Sequence, residues 1–354
     1  MTVTYHSGER IQATQADFDG IPAISGGWKE VARTTLGSTT KPITVSSIAD
    51  KRYYMILVDM VKSGNATSQM RYGNSTIDTG TNYSDRGSYN GAGDGTRTSV
   101  STHEFATANA GVADFMVGYI ANLAGKEKLM QYQWMYNSAT GAPTAPQRAE
   151  KVGKWTNTSN PIDIMELYNS QSGNYVAGSE MVVLGWDEDD THTTNFWEEL
   201  ASVDLSGGAA TNIDSGTIST KKYLWLQFYT QQSVDSNYYI TFNSDDASGN
   251  YAVRYSRDGA SDSTLTSRDN FYNVSYSANI PQFTNMFIVN NSSNEKLITG
   301  QTVYRMTAGA STAPNRMEIV GKWANTSEQI DEINIKSGTG NLASNSFLKV
   351  WGSN

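Results

Sequence analysis

The chain contains one stretch twice. Gly141 to Ser159 reads Gly-Ala-Pro-Thr-Ala-Pro-Gln-Arg-Ala-Glu-Lys-Val-Gly-Lys-Trp-Thr-Asn-Thr-Ser, and Gly309 to Ser327 repeats it with five substitutions. Lys154 and Lys322 stand 322 − 154 = 168 positions apart, and the block aligns without a gap. A period this long exceeds any solenoid unit and fits two tandem copies of a whole domain. The offset also relates Phe115 to Phe283, Glu127-Lys128-Leu129 to Glu295-Lys296-Leu297, and Tyr136 to Tyr304. Farther out it drifts by a residue or two, as loop insertions require. Trp28-Lys29-Glu30 answers to Trp197-Glu198-Glu199, and Gly173–Gly185 to Gly340–Gly352. The expected organisation is an N-terminal arm over 1–27, domain one over 28–187, an acidic linker over 188–196 and domain two over 197–354.

Within each copy the hydrophobic period is two. Tyr54, Ile56, Val58 and Met60 fall on one face, with Leu224, Leu226 and Phe228 on the matching face of the second copy. The opposite face, with Tyr53 and Asp59 and then Gln227 and Tyr229, reads as more polar. This alternation is the signature of a strand with one face on a core. Gly and Asn turns punctuate the chain, and strong helix signals are scarce, so the predicted fold is all-β. Each copy is expected to be a jelly-roll sandwich. Residues 62–105 are expected to hold short strands and long surface loops. The arm has too few apolar residues to fold alone and is expected to dock on a neighbouring subunit.

Charge and composition exclude several classes. Thirty-five acidic and 26 basic residues leave a net charge of −9, which opposes binding to nucleic acid or anionic membranes. No apolar run reaches 18 residues, and no signal-peptide pattern opens the chain. No cysteine is present, so disulfides and thiolate chemistry are ruled out. The three histidines, His6, His103 and His192, do not fall at metal-ligand spacing, and no nucleophile-elbow or phosphate-loop motif occurs. No cofactor is expected. The linker run Asp187-Glu188-Asp189-Asp190 suits a hard cation such as calcium in its carboxylates, but lacks the spacing of an EF-hand loop and reads as solvated chain.

The repeated block carries Arg148-x-Glu150 and Arg316-x-Glu318. Residues two apart in a strand point the same way, so each pair is expected to bond across a strand face and not to act in catalysis. Lys154, Trp155, Lys322 and Trp323 complete the repeated set. Trp155, Trp323, Trp28 and Trp197 recur in both copies and read as packing. Gly153 and Gly321, two positions before each tryptophan, mark a bulge or a close approach. The candidates for ligand contact are Tyr72, Tyr83, Tyr89, Tyr251 and Tyr255, read as lying in loops particular to one copy.

Three segments carry a family resemblance: Tyr5-His6-Ser7-Gly8-Glu9-Arg10-Ile11-Gln12, Gly26-Gly27-Trp28-Lys29-Glu30 and Gly178-Ser179-Glu180-Met181-Val182-Val183-Leu184-Gly185-Trp186-Asp187. With the Arg148–Ser159 block, they resemble virion proteins of tailed phages and related viruses of marine microbes that bear lectin-like jelly-roll domains. The resemblance implies a non-enzymatic particle component, such as a capsid decoration, tail or fibre protein. It would assemble with itself and other virion proteins in the host cytoplasm and leave on lysis. The alternative is an adhesin that binds host surface glycans.

Overall fold

The structure is a computed structural model; it describes residues 27–188, 190, 194–273, 278–304 and 310–354. Apart from Gly27, the expected arm lies outside the described residues. Domain one contains β1 (Lys29–Thr35), β2 (Ile43–Ser46), β3 (Tyr53–Val61), β4 (Ala66–Asn74), β5 (Thr76–Ile77), β6 (Tyr83–Tyr89), β7 (Gly95–Val100), β8 (His103–Ala108), β9 (Ala113–Ala121), β10 (Lys128–Tyr136), β11 (Gln147–Trp155), β12 (Ile164–Asn169) and β13 (Glu180–Trp186). Domain two contains β14 (Glu198–Asp204), β15 (Asn212–Asp214), β16 (Tyr223–Gln231), β17 (Tyr238–Phe242), β18 (Tyr251–Arg257), β19 (Ser263–Arg268), β20 (Phe271–Asn273), β21 (Pro281–Val289), β22 (Lys296–Tyr304), β23 (Asn315–Trp323), β24 (Ile333–Ser337) and β25 (Phe347–Ser353).

Each domain is a two-layer antiparallel sandwich. The larger sheet of domain one has eight strands, in the order β1-β13-β3-β9-β10-β11-β6-β7, and that of domain two repeats it as β14-β25-β16-β21-β22-β23-β18-β19. The smaller sheets run β2-β12-β4-β5, with β8 on β4, and β15-β24-β17-β20. The chain passes back and forth between its two sheets, as in a jelly roll. Residues 62–105, expected to hold short strands and long surface loops, supply β4 to β7 and the start of β8.

The inner faces build two separate cores. Tyr54, Ile56, Val58 and Met60 line the first, and Leu224, Leu226 and Phe228 the second. Trp155 and Trp323 are sealed inside, and their indole N–H groups donate to Asp78 at 2.7 Å and Asp245 at 2.6 Å. A buried indole needs such a partner, and each domain supplies it from the loop before its next strand. Gly153 and Gly321 have a steric reason. A Cβ at Gly153 would lie 2.5 Å from the ring of His103, and one at Gly321 would lie 2.1 Å from the ring of Phe271. The close approach is thus made by a ring from the smaller sheet.

His103 and Phe271 occupy equivalent places, and that exchange predicts a pH effect. His103 is fully buried, with Nδ1 3.5 Å from Asp85. Burial pushes its pKa down, against the pull of Asp85. The unfolded chain therefore binds the proton more readily, so stability is complete above about pH 6.5 and falls as the pH drops below it. Urea midpoints at pH 7.5 and 5.5 should differ for the natural chain, and His103→Phe should shrink the difference. An unchanged difference would place the titration elsewhere.

Candidate functional site

In an antiparallel sheet, residues opposite one another share a face. On the outer face of domain one the register aligns Trp186, Tyr53, Ala121, Leu129 and Lys154 in one cross-strand row. A second row, toward the other end of the same strands, holds Glu180, Asp59, Phe115, Met135 and Arg148. In domain two the corresponding rows are Ser353, Tyr223, Val289, Leu297 and Lys322, then Phe347, Tyr229, Phe283, Val303 and Arg316.

The two large sheets meet through half of these faces. The Glu180–Arg148 end of domain one packs on the Tyr223–Lys322 end of domain two, forming a third apolar cluster that includes Leu57, Phe115, Met135, Val182, Trp197, Leu297 and Val320. Met55 and Leu57 are therefore buried, although the alternation assigned their side of β3 to a more polar environment. Polar groups close the seam around its edge. Lys222 pairs with Asp59 at 2.9 Å and with Glu180 at 3.1 Å, and the Tyr223 hydroxyl donates to Glu180 at 2.7 Å. Burial pushes the Glu180 carboxyl up, but Lys222 and the hydrogen bonds outweigh it and hold it below its ordinary value. Arg148 bonds both Glu150 and Asp262, the latter at 2.7 Å, and Arg254 donates to the Pro146 carbonyl at 2.6 Å. Lys322 donates to the Ala139 carbonyl at 2.8 Å, and Glu295 accepts from Asn137 and from the Gly141 N–H.

The other half of the seam is open. Between the domains a cavity of about 340 Å³ is lined by Arg86, Asp94 and Val152 on one wall and by Gln301, Arg316 and Glu318 on the other. Burial, and then the nearby Glu150 carboxylate, push Glu318 up. Beyond it, on domain one, runs a groove of about 900 Å³. Trp28, Tyr53, Tyr119, Leu129, Val152 and Trp186 supply its apolar surface, while Arg86, Arg97, Gln131 and Lys154 stand among its polar lining. Tyr53 and Trp186 stack at 5.4 Å. This groove is the candidate functional site.

The residues singled out in the sequence fall in different places. Arg148-Glu150 and Arg316-Glu318 each form the expected ion pair. Lys154 pairs at the surface with Glu127 at 3.0 Å, and the equivalent Lys322 pairs with Glu295 within the seam at 3.5 Å. The expectation of ligand contact is corrected for Tyr72, Tyr83 and Tyr251, which are fully buried. They lie in strands, and Tyr83 and Tyr251 are equivalents whose hydroxyls bind backbone carbonyls of their own domain. Tyr89 lies half-buried with its ring near Lys151, and the ring of Tyr255 is covered by Arg257. Trp28, read as packing, forms part of the groove wall. Tyr53, Tyr119, Leu129 and Trp186 were missed; the odd-numbered side of β3 and β9 carried the signal, in the form of aromatics where solvent was expected. Asp187 and Glu188 pair with Arg52, and Asp190 with Lys51. Among the described residues no group of three His, Cys, Asp or Glu side chains is placed to hold a metal ion, and no helix is long and apolar enough to cross a membrane.

No protein-family model matches the sequence, and no curated protein matches it either. Among solved structures the chain is similar to the mouse laminin alpha1 chain, domains LG4-5, with 8% identity over 93% of this chain and 92% of that one at a TM-score of 0.21. It is also similar to human GIVD cytosolic phospholipase A2, with 7% identity over 77% of this chain and 33% of that one at a TM-score of 0.14. TM-scores this low do not establish a shared fold, and the all-β tandem sandwich is read from the strand order itself.

Proposed function

We propose that the chain is a non-enzymatic building block of a virus particle, a decoration, tail or fibre component made of two sandwiches bonded through their large sheets. The observation that carries this reading is the use made of the repeated block. Arg148 and Lys322, the charged residues that name the repeat, lie buried in the seam and tie one domain to the other. Their chemistry serves cohesion. The resemblance to virion proteins supplies the setting, with assembly in the host cytoplasm and release on lysis. Particles purified from an infected culture should contain the chain in a fixed ratio to the main shell protein, measured by quantitative mass spectrometry. Recovery only from the soluble host fraction would exclude the reading.

A second reading is favoured by the groove. Stacked Tyr53 and Trp186, with Tyr119 and Trp28 beside them, offer flat aromatic faces of the kind that sugars stack on. A glycan array should then show binding that Trp186→Ala abolishes while the melting temperature stays within about 2 °C. An array without hits removes this reading and leaves the first untouched.

A further inference from the structure

The open and closed halves of the seam are made of the same parts. Leu297 is fully buried in the closed half, while its equivalent Leu129 is 56% exposed. Val320 and Val152 differ as 1% to 53%, Phe115 and Phe283 as 0% to 38%, and Met135 and Val303 as 0% to 45%. The apolar side chains left in solvent are thus the repeats of those that already mate. Their charged frame is repeated as well. Arg148 binds Asp262 across the closed half, and the equivalents Arg316 and Asp94 line opposite walls of the cavity at the mouth of the open half. Because these walls already face each other within one chain, a second copy would have to wedge itself between them. Glu150 and Glu318, also equivalents, stand at the midline between the two halves.

We propose that the two sandwiches rock about this midline between the closed arrangement seen here and a second one, in which the open half closes and brings Arg316 to Asp94 and Val303 toward Leu129. Two stiff packed sheets have discrete contact states instead of a continuum, so closing one half opens the other. The bias toward the observed state has an identifiable source. Lys222 holds Asp59 and Glu180 in the closed half, whereas the residues equivalent to those two carboxylates are Tyr229 and Phe347, stacked on each other at 5.8 Å. The second state lacks that ionic clamp and is the minor one. Weakening the clamp shifts the population toward it by the differential interaction lost. This inference goes beyond the building-block reading and does not depend on it.

The test is a distance measurement on the full chain, which has no native cysteine to interfere. Spin labels attached through Leu129→Cys and Val303→Cys, both at exposed positions, should give two populations by pulsed electron resonance, a large long-distance one and a small short-distance one. Lys222→Gln should raise the short fraction at least three-fold, and Arg148→Gln, at the far edge of the same half, should act in the same direction. A single long distance that neither substitution alters would overturn the proposal. So would a short distance that vanishes when labelled chain is diluted with unlabelled chain, since its partner would then be a second copy. Particle composition would be unaffected by either failure, which keeps this test separate from that of the proposed function.

Discussion

Asp114→Ala should destabilise domain one by about 3–5 kcal/mol, because it strands a charge in the core. Lys62 and Asp114 are both completely buried and form a direct ion pair, with the Lys62 ammonium 5.1 Å from the centre of the Trp134 ring. The second Asp114 oxygen accepts from the Asn137 N–H at 3.2 Å. Burial raises the Asp114 pKa and the ammonium opposes that shift. Domain two solves the same packing problem without charge, since the equivalent positions are Gln232 and Gln282, both buried. Removing one partner leaves the other desolvated and unpaired, whereas exchanging both for amides copies an arrangement the fold already tolerates. The double variant Lys62→Gln/Asp114→Gln should therefore cost much less than Asp114→Ala, within about 1–2 kcal/mol of the natural chain. Urea titration of all three proteins decides the matter, and equal losses in the single and double variants would mean that the lost ion pair itself, not the stranded ammonium, sets the cost.

Trp323→Ala is expected to cost domain two about 3–5 kcal/mol. The ring is wholly buried, lies near Phe242 at 6.0 Å and Tyr251 at 6.5 Å, and has the Lys296 ammonium 5.7 Å from its centre. Alanine would leave a cavity that β17, β18 and β24 cannot fill without breaking their ladders. It would also deprive Asp245 of the indole donor, although Asn250 still serves that carboxylate. Trp323→Phe retains most of the volume and loses only the hydrogen bond, so it should recover more than half of the lost stability. Amide hydrogen exchange mapped by domain gives the readout. Protection should fall across β16–β25 while β1–β13 change little, and a uniform loss over both domains would show that they unfold as one unit.

Local sequence determined a good deal of this protein. The ungapped offset established two like domains, and period-two alternation around Tyr54 and Leu224 assigned their core faces, because in a strand the side on which a residue lies depends only on parity. The Arg-x-Glu pairs and the glycines before the tryptophans were legible for the same reason, their partners being set by strand geometry. The tertiary structure alone decided which copy of each repeated residue is buried. The Arg148 side chain is 5% exposed and that of Arg316 is 60% exposed, in nearly identical surroundings along the chain. The difference comes from the seam, where one end of one sheet meets the opposite end of the other. Contacts across it join residues such as Arg148 and Asp262, 114 positions apart. The buried tyrosines escaped detection in a related way. Tyr72 and Tyr83 stand among Gly, Ser and Asn residues that read as loop, and only the packing of β4 and β6 over the core decides that their rings point inward. Position along the chain sets the face on which a side chain lies, and what covers that face depends on the arrangement of the whole molecule.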